Sequence, residues 1–85
     1  MTPKLRSIRT EIDKIDEDLV RLLAERMAAI RAIGAYKRDD KDAAILDAPR
    51  ERAVAEAWAK EAESRGVSSY FVGRVLREIL NWSRR

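Results

Sequence analysis

Leu5, Ile8, Ile12, Ile15, Leu19, Leu22, Arg26, Ala29, Ile33 and Tyr36 follow one another at alternating steps of three and four residues. That spacing keeps one stripe of a helix on the same side over its whole length. It predicts one very long helix packed along its length against partner helices. Arg26 stands inside the stripe, where the pattern asks for Leu or Ile. A guanidinium taken out of water without a partner is strongly unfavourable, so the position calls for a carboxylate or a phosphate. An acidic side chain of the protein is one such partner, and a ligand is the other.

The 85 residues allow a single domain spanning 1–85, close to the lower limit at which one core sustains itself. Short chains without disulfides or metal often gain stability by oligomerising. Apolar residues make up 46% and charged residues 39%, with three glycines and two prolines, the balance of an all-α protein. The net charge of +3 comes from 18 basic and 15 acidic residues interspersed along the chain. There is no basic block with interleaved aromatics, so no nucleic-acid partner is expected. Arg84-Arg85 reads as a solvated helix end.

The sequence contains no cysteine and no histidine. Disulfides, thiolate chemistry, most zinc sites and the commonest general acid or base are thereby removed. No metal or cofactor is expected, and catalysis must run on Arg, Lys, Asp, Glu, Ser or backbone dipoles. Met1-Thr2-Pro3-Lys4 leads straight into amphipathic helix without the apolar core of a signal peptide, and no run approaches membrane-spanning length. These features predict a cytoplasmic protein with no membrane partner.

Three helices are predicted. The first runs over about 4–38, with Pro3 tolerated at its start and Gly34 as a weak point that marks a bend or a close backbone approach. Asp39-Asp40-Lys41-Asp42 reads as a loop. Asp47 is a good N-cap for a second helix over about 48–64, with Pro49 in its first turn and Arg65-Gly66 as the stop. Ser68 caps a third helix over about 68–84, whose stripe is Val72, Leu76, Ile79 and Ser83.

Several polar residues fall on core-directed faces. Arg26 and Lys37 are eleven residues apart, very close to three turns, and share a helix face at about 16 Å. Together they can grip a small dianion; alternatively Lys37 complements the negative end of the helix dipole. Arg9 precedes Arg26 by seventeen residues, about 25 Å along one straight helix. It either stays a surface arginine or reaches the same ligand from a second, antiparallel copy of the chain. Asp47 and Glu51 face one side at the start of the second helix, as dipole-matching groups or as acceptors for a ligand hydroxyl. The stripe of Val54 and Trp58 extends back onto Glu51, which directs that carboxylate towards the core. Ser83 takes an apolar position, and a serine there either bonds a carbonyl one turn back or meets a ligand. Cations and carboxylates on core-facing stripes, without His or Cys, suit a rearrangement driven by restraint and charge stabilisation.

These residues also carry a family resemblance. Ile8-Arg9-Thr10-Glu11-Ile12-Asp13-Lys14-Ile15-Asp16, then Leu22-Leu23-Ala24-Glu25-Arg26, resembles the first helix of the all-helical, AroQ-type chorismate mutases. Ile33-Gly34-Ala35-Tyr36-Lys37 and Asp47-Ala48-Pro49-Arg50-Glu51-Arg52 continue the likeness in order. The resemblance implies an intertwined homodimer of three-helix chains, with antiparallel first helices and two shared sites. It implies conversion of chorismate to prephenate by a Claisen rearrangement, on the route to phenylalanine and tyrosine. By the same likeness Arg9 enters the partner's site to bind one substrate carboxylate and Arg26 holds the other. Lys37 donates to the ether oxygen, Asp47 and Glu51 bind the ring hydroxyl, Arg50 belongs to that polar cluster, and Ser83 lies near a carboxylate.

The family commonly has a glutamine one turn after that serine, which by spacing falls at about position 87. The sequence stops at Arg85. The expectation is therefore either a truncated piece of a longer, bifunctional polypeptide, with reduced activity, or a substitute donor such as Asn81 or Arg84. Two other readings fit the same residues. One is a sister activity, amino-deoxychorismate mutase or isochorismate–pyruvate lyase; the other is a non-catalytic helical module for regulation or dimerisation.

Overall fold

The computed structural model describes residues 2–39 and 48–83, and for 37–39 the helical backbone alone. The helices are α1 (Pro3–Asp39), α2 (Ala48–Ser64) and α3 (Ser69–Ser83). No strand occurs among the described residues. The chain divides into two compact units, Met1–Asp39 and Asp40–Arg85, described here in turn.

The first unit is α1. Its 37 residues span about 55 Å at ~1.5 Å per residue. Thr2 caps it: the Leu5 amide donates to Thr2 Oγ1 at 3.2 Å and the Arg6 amide to the Thr2 carbonyl at 3.1 Å. Pro3 takes the first helical position, where its missing N–H costs nothing. The sequence suggested a bend or a close backbone approach at Gly34. The helix passes through without interruption, and among the described residues nothing lies within 4 Å of where a Cβ would stand. Strong helix formers such as Ala32 and Ala35 carry the backbone across it.

Along α1 the apolar seam is largely open to water. Leu5 and Ile8 are each 42% exposed, and Ile15 is 55% exposed. Arg26, Met27 and Ile30 are half-buried. A surface charge pair sits beside this stretch, with Arg21 Nη1 donating to Glu25 at 3.0 Å. Exposed pairs of this kind contribute little stability.

The second unit is the α2–α3 pair, two helices packed against each other. Four residues connect them. Gly66 has φ +72°, the Gly66 amide donates to the Glu63 carbonyl at 3.2 Å, and the Val67 amide donates to the Ala62 carbonyl at 2.9 Å. This is a Schellman ending, which satisfies the last carbonyls of α2 and needs a residue at ease in the left-handed region. Ser68 then caps α3 through its Oγ, which accepts from the Phe71 amide at 3.2 Å. The cap residue itself stands outside the helix, so α3 begins one residue later than the predicted 68. Leu76, at 2% exposure, and Ala62, at 5%, are the buried apolar side chains among the described residues. Val54, Trp58, Val72, Ile79 and Leu80 are half-buried. The expected cap at Asp47 lies outside the described residues.

Candidate active site

The expected site residues fall in both units. On α1, Arg26 is half-buried, and its Nη1 is buried without a hydrogen-bond partner among the described residues. Neighbouring Arg21 finds carboxylates one turn either side, Asp18 at 3.6 Å and Glu25 at 3.0 Å. Arg26 therefore has a donor withdrawn from water and no acceptor for it, an arrangement that costs stability unless a ligand supplies the acceptor. Arg9 is exposed and makes an interaction of its own. Because α1 is continuous, the seventeen-residue step from Arg9 to Arg26 keeps them about 25 Å apart on one chain. Lys37 lies in the last turns of α1, and its side chain is outside the described ones.

On the α2–α3 pair, Glu51 is half-buried in the first turn of α2, while Arg50, one residue earlier, is exposed. A step of about 100° around the helix separates their directions. Both make interactions with other groups. Glu51 lines a groove between α2 and α3 of about 560 Å³, with Leu80 and Asn81 across from it; Arg50 and Ser83 do not line it. Ser83 is half-buried, and its Oγ donates to the Ile79 carbonyl at 2.7 Å. The hydroxyl's single hydrogen is thus committed to the backbone, and donating to a substrate carboxylate requires the side chain to rotate. Asp47 lies outside the described residues.

Sequence reasoning missed the rest of that groove. Arg52, Tyr70, Gly73, Arg74 and Arg77 line it too. Arg74 and Arg77, spaced three apart on α3, were a legible sign that a second cationic face exists beside the apolar stripe. Among the described residues no group of three His, Cys, Asp or Glu side chains is placed to hold a metal ion. No described helix is long and apolar enough to cross a membrane.

A model of the chorismate mutase type II family matches residues 8–85. The chain belongs to that family. An isochorismate pyruvate lyase from Pseudomonas aeruginosa is 35% identical over 78 residues, covering 92% of this chain and 75% of the relative. A T-protein from Haemophilus influenzae is 33% identical over 79 residues, covering 93% of this chain. The chain spans only 21% of the T-protein's length. The all-α, three-helix architecture is the one expected of a family member.

Proposed function

We propose that the protein is a cytoplasmic chorismate mutase that turns chorismate into prephenate as a homodimer with shared sites, on the route to phenylalanine and tyrosine. The observation that carries the reading is the buried, unpartnered Nη1 of Arg26 in a chain of this family. Chorismate is a dicarboxylate, and a planar guanidinium matches a carboxylate better than any other side chain does.

The reaction is an isomerisation. The ether C–O bond breaks while a new C–C bond forms in the same molecule, and no proton or second reactant enters the balance. The protein's tasks are to hold the substrate in its compact conformer and to stabilise negative charge growing on the ether oxygen. In the proposal Arg26 takes one carboxylate and Lys37 donates to the ether oxygen. Asp47 and Glu51 accept from the ring hydroxyl, while Arg50 and Ser83 complete the polar set. Arg9 serves the second carboxylate from the other copy, because a rigid α1 keeps it ~25 Å from Arg26 of its own chain. The exposed seam of α1 supports that pairing, since an apolar stripe of this length gains most by burial against another helix.

The similarity to an isochorismate pyruvate lyase favours a second reading, release of pyruvate from isochorismate at the same residues. Offering chorismate and isochorismate separately, with absorbance readout and product identification, decides between them. Prephenate from chorismate is the expected result. Arg26→Ala and Lys37→Ala are each expected to lower kcat/KM by about a hundredfold or more. Unchanged turnover in either variant would sink the assignment of roles, and pyruvate from isochorismate without prephenate would move the protein to the lyase reading.

A further inference from the structure

The groove between α2 and α3 is built wholly from residues of the second unit, and of its charged lining the reaction proposed above uses Glu51 and none of the arginines. Its apolar lining comes from Ala55, Leu76 and Leu80, with bare backbone at Gly73. Three arginines line it: Arg52 from α2, and Arg74 and Arg77 one turn apart on α3. The described lining sets one carboxylate, Glu51, against them.

Elsewhere in this molecule arginines pair with carboxylates four residues away, as Arg21 does with Glu25 at 3.0 Å and Arg65 with Glu61 at 2.7 Å. In the groove the same opportunity is left unused. Glu56 follows Arg52 by four residues, yet Arg52 makes no ion pair among the described residues, and neither does Arg77. Glu78 follows Arg74 by four, yet the Arg74 guanidinium lies towards the Tyr70 ring, 6.0 Å from its centroid. The forks are therefore not consumed by local pairing.

Gly73 adds an independent sign. Glycine weakens a helix interior, and nothing here requires it. Its φ is not positive, and a Cβ would meet nothing within 4 Å. What the missing side chain does is widen the groove.

We propose that this groove is a binding site for a small molecule with an apolar body and two or more carboxylate or phosphate groups. Its volume of about 560 Å³ falls within the range of ligand pockets, roughly 300–1,000 Å³. The apolar lining takes the body, and guanidiniums on both helices take the anionic groups as planar, two-toothed donors. The inference does not depend on the reaction assigned to the protein.

The test titrates the full chain at low salt with a benzene tricarboxylate and, separately, with phenyl phosphate, following heat and backbone amide shifts. Benzoate, with a single charge, is the control. Binding with shifts centred on Arg52, Gly73 and Arg77 is expected, weaker in high salt and weaker for benzoate. Arg52→Ala and Arg77→Ala are each expected to weaken it about tenfold. Gly73→Leu fills the groove with a better helix former, so binding should be lost while the circular dichroism and melting temperature are kept or improved. Tighter binding of either probe supports the site and says whether carboxylate or phosphate is preferred. Three results overturn it: no binding of either probe at millimolar concentration, binding that survives Gly73→Leu and both arginine variants, or binding lost only in Arg26→Ala. The last would place the anion on the catalytic residues, and because the readout is binding, it stands apart from failure of the mutase assay.

Discussion

The Arg26 Nη1 donor, withdrawn from water and without an acceptor among the described residues, is a local loss of stability. Replacing Arg26 with methionine keeps an unbranched apolar stem and removes the orphaned donor. Arg26→Met is therefore expected to raise unfolding free energy by about 1–2 kcal/mol while turnover falls by about a hundredfold or more. Chemical denaturation and an activity assay on the same preparation check both signs, and a variant that is less stable and still active would contradict the reading of Nη1 as uncompensated. Ser83 gives the opposite case. Its hydrogen already bonds the Ile79 carbonyl at 2.7 Å, a contact within its own helix. Ser83→Ala should change stability by less than about 1 kcal/mol and lower kcat/KM less than tenfold, since the side chain must break a bond before it can donate to a substrate.

At the scale of the elements, two glycines with different environments should respond oppositely to alanine. Gly66 holds φ +72° in the ending of α2, so Gly66→Ala forces a Cβ into the left-handed region and is expected to cost about 1 kcal/mol or more. Gly34 has ordinary helical backbone and nothing within 4 Å of its Cβ position, so Gly34→Ala should stabilise α1 by up to about 1 kcal/mol. Thermal melts of the two variants, read side by side, check the pair of signs. The same two positions mark what was legible in the sequence. Arg65-Gly66 reads as a stop because a left-handed ending leaves few choices of residue, and Ser68 reads as a cap because a hydroxyl there meets orphan amides. Periodicity, the stop and the Ser68 cap thus anticipate the three helices seen among the described residues. Gly34 is less legible, because a glycine tolerated inside a helix carries the same letter as one that breaks it. For the site, burial of Arg26 and Glu51 follows from their stripe positions. The Arg52–Arg77 groove does not, because it depends on how two helices pack and not on the face of either one alone.

For the whole molecule, the proposed roles of Arg9 and Arg26, ~25 Å apart on one helix, require a site that draws on two copies of the chain. An exposed stripe from Leu5 to Leu22 is also the surface through which those copies would meet. Placing a charge in its middle, as in Ile12→Lys, should give a monomer by light scattering and abolish turnover together. That result alone leaves open whether dimerisation serves only stability, and a mixing experiment removes the ambiguity. Arg9→Ala and Arg26→Ala are each expected to be nearly inactive as pure dimers, because every site then lacks one carboxylate donor. Subunits exchanged at equal concentration give mixed dimers as about half of the population. In a mixed dimer one of its two sites carries both defects, and the other combines an intact Arg26 with an intact Arg9 from across the interface. Recovery of about a quarter of wild-type activity is therefore expected on mixing. If both arginines instead served a site within one chain, no combination of the two variants would contain an intact site, and the mixture would stay as inactive as its parts.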